Sequence, residues 1–121
     1  MKRALVVDDS PVGRMIVSRI VTGAGWEAIE AHDGSDALAR LDEVAPEIVF
    51  LDLLMPGLTG LDVLRELRTI RRDLPVVILT ADLQSSTREA CEKLGVYAYI
   101  TKPASASTIH RLLTSVPAGA V

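Results

Sequence analysis

The tightest constraint on this chain is a set of short runs that are apolar at every position. Ile48-Val49-Phe50-Leu51 is one, and residues 4–7 and 75–79 are others. A strand with one wet face alternates apolar and polar residues, so an uninterrupted run indicates a strand covered on both faces, as in a parallel sheet. The Ile48 run stops at Asp52, and Met55-Pro56-Gly57 then breaks regular structure. Thr59 and Asp62 have the spacing of a helix start. Asp52 is therefore expected at the carboxyl end of a buried strand, facing a crevice.

The same design recurs along the chain. Residues 4–7 end at Asp8 and Asp9, and Ser10-Pro11 reads as an N-cap followed by proline at the first helical position. Val12, Ile16 and Ile20 recur at helical spacing and are expected to form that helix's apolar stripe. Gly23-Ala24-Gly25 follows a helix and lacks a third glycine, so it reads as a helix end and not as a nucleotide-binding loop. A second strand is expected over residues 26–31. After the turn His32-Asp33-Gly34-Ser35 comes a helix carrying Ala37, Leu38, Leu41 and Val44, closed by Pro46.

Beyond Asp52, a third helix carries Leu61, Val63, Leu64 and Leu67, with Asp62, Arg65, Glu66 and Arg68 outward. Arg65, Arg68, Arg71 and Arg72 could make a phosphate-binding face, but the acidic net charge favours a solvated helix surface. The fourth strand, residues 75–79, ends in Thr80, Ala81 and Asp82. Its following helix, residues 85–94, has Ser86 and Glu89 at capping-box spacing and Gly95 as its stop. Residues 96–100 form the fifth strand, followed by Thr101-Lys102-Pro103; Ile109, Leu112, Leu113 and Val116 mark a last helix, and residues 117–121 are expected to fray. Strands alternating with helices imply a parallel sheet with helices on both faces, joined by right-handed crossovers. In such sheets ligands bind beyond the carboxyl ends of the strands.

Composition narrows the class. With 121 residues, 49% of them hydrophobic and 24% charged, the chain fits one globular domain, spanning 1–121 with an ordered core over about 2–116. Aromatics at 3% imply an aliphatic core. A net charge of -3 argues against nucleic-acid binding, which needs a basic surface excess. Only four apolar residues follow Met1-Lys2-Arg3 before Asp8, too few for a secretory signal, and no run approaches the roughly 18 apolar residues of a membrane span. A cytoplasmic protein is expected. The single cysteine, Cys91, shares a helix with Thr87, Ala90 and Leu94 and reads as a small buried hydrophobe. His32 and His110 lack ligand-spaced partners and read as surface residues.

The strand ends thus collect Asp8, Asp9, Asp52, Thr80 and Lys102. The first two alone are more often a solvated helix-start pair, Thr80 alone a strand-end cap and Lys102 alone a surface charge. In one crevice they mean more. Three converging carboxylates repel unless a cation sits among them, and without nearby His or Cys the oxygen ligands favour magnesium, or manganese, over zinc. Magnesium held by carboxylates commonly takes phosphate oxygens as further ligands, which makes Asp52 a candidate nucleophile forming an acyl phosphate. The cation, the Lys102 ammonium and the Thr80 hydroxyl could each neutralise a different phosphoryl oxygen.

LVVDDS around Asp8 and Asp9, DLLMPGLTG from Asp52, LTA ending at Ala81 and YITKP ending at Pro103 resemble, in this order and spacing, the receiver domains of two-component response regulators. The closest likeness is to single-domain, chemotaxis-type members, and it covers essentially the whole chain. It implies a doubly wound, flavodoxin-like (βα)5 sandwich with strand order 2-1-3-4-5. It also implies that Asp52 accepts a phosphoryl group from a phosphohistidine on a sensor histidine kinase or histidine phosphotransfer protein. By the same resemblance Asp9, Asp52 and the Leu54 backbone carbonyl would bind magnesium directly and Asp8 through a water. Lys102, joined to Pro103 by a cis peptide, would contact the phosphoryl group, as would Thr80 and the Ala81 backbone. Tyr99 matches the switch aromatic that reshapes the surface of the fourth helix, fifth strand and fifth helix, where a downstream protein would read the signal. Leu54 and Asp82 stand where relatives tune dephosphorylation, and Ala104 departs from the phenylalanine of many relatives, leaving the last helix less anchored.

A monomer or weak dimer without an output domain, signalling by protein contact and with no enzyme turnover beyond its own phosphorylation and dephosphorylation, is the expectation. Two rivals remain. Phosphatases of the haloacid-dehalogenase class use a similar residue set, but their nucleophile begins an Asp-x-Asp pattern, whereas Leu53 and Leu54 follow Asp52. An interaction domain that keeps the fold without phosphorylation would have no need of the complete set Asp8, Asp9, Asp52, Thr80 and Lys102.

Overall fold

The computed structural model describes residues 2–116. Five strands, β1 (Arg3–Val7), β2 (Glu27–Ala31), β3 (Ile48–Leu51), β4 (Val76–Thr80) and β5 (Ala98–Thr101), alternate with five helices. These are α1 (Pro11–Gly23), α2 (Gly34–Val44), α3 (Gly60–Ile70), α4 (Ser85–Lys93) and α5 (Ala106–Ser115). All strand pairs are parallel and the order is β2-β1-β3-β4-β5, so the winding direction reverses beside β1. Residues 117–121, expected to fray, lie outside the described part of the chain.

The apolar runs are uninterrupted because the sheet has two cores. Leu5, Val7, Val49, Leu51 and Ile78 pack on the face covered by Ala37 and Leu41 of α2, Val63, Leu64 and Leu67 of α3 and Cys91 of α4. Ala4, Val6, Ile48, Phe50, Val77 and Leu79 point the other way, against Val17 and Val21 of α1 and Ile109 and Leu113 of α5. Side chains alternate across a strand, so a strand buried on both sides has no polar position to spare.

Helix starts follow local chemistry. The Ser10 hydroxyl accepts from Gly13 N at 3.2 Å ahead of Pro11. At α3 the box is reciprocal: Asp62 N donates to Thr59 Oγ1 at 3.2 Å and Thr59 N to Asp62 Oδ2 at 3.1 Å. Gly25, at φ 89, turns the chain after α1, as a helix end requires.

Four details differ from the sequence reading. The Ser86–Glu89 pair does not cap α4: the N-cap is Gln84, which makes no side-chain capping bond. Instead Asp82 Oδ1 accepts from Gln84 N at 2.9 Å, turning the chain early enough that Ser86 is already helical. On α1, Val12 and Ile16 are 60% and 51% exposed, and the core-facing pair is Val17 and Val21 with Ile20 at the margin. Trp26 precedes β2, where it is buried under the Lys2 ammonium, 5.4 Å from the ring centroid. Arg68 is no solvated residue: its guanidinium donates to the carbonyls of Leu94, Gly95, Arg71 and Leu74 at 2.7 to 3.1 Å, tying α3 to the turns around β4.

Candidate functional site

Four strand ends deliver the site. Asp8 follows β1, Asp52 follows β3, Thr80 ends β4 and Lys102 follows β5, all at the carboxyl edge of the sheet next to the reversal of winding. Asp8 and Asp52 are 4% and 7% exposed, Thr80 is fully buried, and Asp9 is exposed. One carboxylate oxygen from each of Asp8, Asp9 and Asp52 lies within 4.8 Å of the others. The Lys102 ammonium donates to Asp8 Oδ2 at 2.8 Å and to Asp52 Oδ2 at 3.0 Å. This lysine is a counter-charge to two buried acids that stand side by side.

The second oxygen of each acid is held by the backbone that follows it. Ser10 N donates to Asp8 Oδ1 at 2.9 Å, and Leu54 N donates to Asp52 Oδ1 at 3.0 Å. Both carboxylates are thus fixed at two points, which pre-orients them at no later cost. Lys102 N donates to Thr80 O at 2.8 Å, extending the β4–β5 ladder to the site, and the Lys102-Pro103 peptide is cis, as the resemblance implied. Burial, the largest single influence on Lys102, pulls its pKa down. The hydrogen bonds to Asp8 and Asp52 and the charges of both acids outweigh it, so the net shift is upward.

Thr80 Oγ1 accepts from Asp82 N at 3.1 Å, so the β4–α4 loop is tied to the buried hydroxyl. Tyr99, half-buried on β5, donates its hydroxyl to Asp82 O at 3.3 Å, and the Arg88 guanidinium of α4 lies 5.3 Å from its ring centroid. Burial first, then negative charge at the Cys91 thiol and at Asp82, raise the Tyr99 pKa against the opposing charge of Arg88. Thr80 and Tyr99 therefore meet at one loop. Ala81 is exposed at the head of that loop, and Leu54, 53% exposed, stands on the rim beside Asp52.

The oxygen donor set, free of Cys and His, fits a hard divalent cation such as magnesium. Of the residues singled out from the sequence, Asp8, Asp9, Asp52 and Lys102 come together in this crevice, whereas Tyr99 packs against the β4–α4 loop; three contributors were missed. Arg14 Nη1 donates to Asp8 O at 2.8 Å while its Nε pairs with Glu30 at 3.1 Å, and a lone arginine on a helix gives no signal of that. At Gly60 a Cβ would overlap the Asp52 carbonyl oxygen, so only glycine lets α3 start against the acid-bearing loop. Gly13, inside α1, is the third.

Comparison with known proteins agrees with this geometry. A family model described as the response regulator receiver domain matches residues 4–114, and the chain belongs to that family. Chemotaxis protein CheY of Thermotoga maritima is 34% identical over 116 residues, an overlap of 95% of this chain and 97% of that protein. The probable transcriptional regulatory protein TcrX of Mycobacterium tuberculosis is 43% identical over 101 residues, 84% of this chain but 43% of TcrX, so the chain spans less than half of that relative. Among solved structures, the response regulator TrrA of Thermotoga maritima, in complex with Mg2+-BeF, has a TM-score of 0.86 at 30% identity and covers 97% of this chain and 100% of its own. The chain is a receiver domain of the CheY type, a two-component signalling module. Among the described residues no helix is long and apolar enough to cross a membrane.

Proposed function

We propose that the chain acts as a single receiver domain in which Asp52 takes a phosphoryl group from a phosphohistidine of a sensor histidine kinase or phosphotransfer protein. The observation that carries this reading is the Lys102 ammonium, 2.8 and 3.0 Å from two buried carboxylates at the winding reversal of the sheet. An Asp52 carboxylate oxygen attacks phosphorus, the P–N bond to the donor imidazole breaks, and the imidazole, already protonated on its other ring nitrogen, leaves in its neutral form with the bonding electron pair. The product is an acyl phosphate, which water later hydrolyses to inorganic phosphate and free Asp52.

Magnesium, or manganese, would be held by Asp9, Asp52 and the Leu54 carbonyl, with Asp8 acting through a water; when bound it supplies positive charge for the phosphoryl oxygens. Lys102 gives up its bond to Asp52 and contacts a phosphoryl oxygen. The Thr80 hydroxyl and Ala81 amide contact others. Since Asp82 N is bonded to Thr80 Oγ1 and Asp82 O accepts from Tyr99, a shift of Thr80 pulls on the residue that holds the Tyr99 ring. The α4-β5-α5 surface is the output face in this reading, offered to a downstream protein and not to nucleic acid, by a cytoplasmic monomer or weak dimer without membrane insertion.

Intact mass after incubation with magnesium and acetyl phosphate tests the mechanism. One added phosphoryl group is expected, absent without magnesium and absent in Asp52→Asn. No adduct, in a protein that a parallel titration shows to bind beryllofluoride poorly as well, would leave a phosphorylation-independent interaction domain as the better reading. Multiple turnover of small phosphate esters would instead revive the phosphatase, against which the lack of an Asp-x-Asp pattern at Asp52 already speaks.

A further inference from the structure

Glycine inside a helix is disfavoured relative to alanine, because it loses more backbone freedom on folding and packs nothing. Gly13 nevertheless occupies the first turn of α1, in helical conformation and without a positive φ to explain it. The space around it supplies a reason. A Cβ built at Gly13 would lie 2.5 Å from Asp8 Oδ2, 3.2 Å from Asp8 Cγ and 3.5 Å from Ser10 Cβ. A long, loose side chain could swing away from such a contact, but this carboxylate is short and tied at both ends: Oδ1 to Ser10 N and Oδ2 to the Lys102 ammonium. Turning it to clear a methyl group breaks one of those bonds. The same α1 turn is itself anchored, with Gly13 N donating to Ser10 Oγ and Arg14 Nη1 to Asp8 O, so the helix cannot simply back off.

We propose that Gly13 is a positioning residue: its missing side chain lets α1 lie against Asp8 and sets the carboxylate orientation that shares Lys102 with Asp52. Gly13 touches no reacting atom. It acts through Asp8, and a larger residue there would loosen the Asp8–Lys102 pair and misplace an acid in the outer shell of the proposed magnesium site. Partners that orient metal ligands commonly cost tenfold or more in affinity when lost.

The test is a double-mutant cycle of Gly13→Ala with Asp8→Ala, read as melting temperature without metal, with Gly23→Ala as the control. Gly23 closes the same helix, and a Cβ there meets nothing within 4 Å. Helix propensity alone predicts that Gly13→Ala raises the melting temperature, as Gly23→Ala should. Steric positioning predicts a fall when Asp8 is present and a rise in the Asp8→Ala background, where the conflict is gone. A magnesium titration of the same proteins, which rests on the receiver reading, should show Gly13→Ala weakening affinity about tenfold in the Asp8 background and not at all without Asp8. A rise with Gly13→Ala in both backgrounds, or an equal fall in both, overturns the proposal. If Gly13→Ala fails to fold, recovery of folding in the double variant supports it and failure of both overturns it. Loss of magnesium binding in the unaltered protein would contradict the receiver reading, while the metal-free cycle still decides the role of Gly13.

Discussion

Lys102 holds the site together before any ligand arrives, and its chemistry makes that visible as a pH effect. Its pKa is raised in the folded state above the ordinary 10.5. A cation with a raised folded pKa contributes stability that is complete below the unfolded value and is lost as pH rises through the folded one. Lys102→Ala should therefore cost about 2 kcal/mol at neutral pH, less than for a fully enclosed pair because Lys102 keeps 29% of its side-chain exposure. As pH rises above the ordinary lysine value of 10.5 and through the raised folded one, the melting temperature of the parent should drop toward that of the variant, since deprotonation removes the same charge. Parallel melting curves across that range would rule out the pair as a source of stability. The residues of this pair could be named from the sequence because an acid or a lysine at the end of an apolar strand stands out. Arg14, Gly13 and Gly60 could not, because their roles depend on what a neighbouring element brings within a few ångströms.

Among the elements, α5 is the one whose start is under-packed, as Ala104 led us to expect. Ala104, just before its N-cap Ser105, is only partly buried against the second core. It lines a cavity of about 150 Å³ together with Gly13, Ile16, Ile20, Leu79 and Ile109. The space between α1 and α5 is therefore under-filled by two small residues. Ala104→Phe should fill part of it and raise stability by about 1 kcal/mol, a melting increase of roughly 3 to 6 °C for a domain of this size. A lowered melting temperature would mean that the gap cannot accept a ring without strain. Element identities were legible throughout, since apolar runs, caps and glycine stops are local signals. Helix phase was not: on α1 the spacing of Val12, Ile16 and Ile20 is helical, but which side faces the sheet is decided by where Val17 and Val21 meet Phe50 and Val6.

The whole molecule brings three acids and one lysine to a single edge, leaving an excess of negative charge at a partly buried site. A cation that binds only the folded state stabilises it by mass action. Asp52→Asn should raise the melting temperature in metal-free buffer, by relieving repulsion, and should shrink the further rise given by magnesium. Equal magnesium shifts in both proteins would contradict a shared metal site. The alternation of strand and helix and the polar residue at each strand end were readable from the chain by itself, because period, burial and turn chemistry act over a few residues. From these follow the parallel sheet and the edge at which function lies. Only the tertiary structure decided how Lys102 divides itself between Asp8 and Asp52, how closely α1 approaches Asp8, and how Arg68 ties α3 to its neighbouring turns. The decisive contacts, from Arg68–Gly95 to Lys102–Asp8, join residues 27 to 94 positions apart, and their distances are set by packing two helical layers on one twisted sheet, which no local pattern encodes.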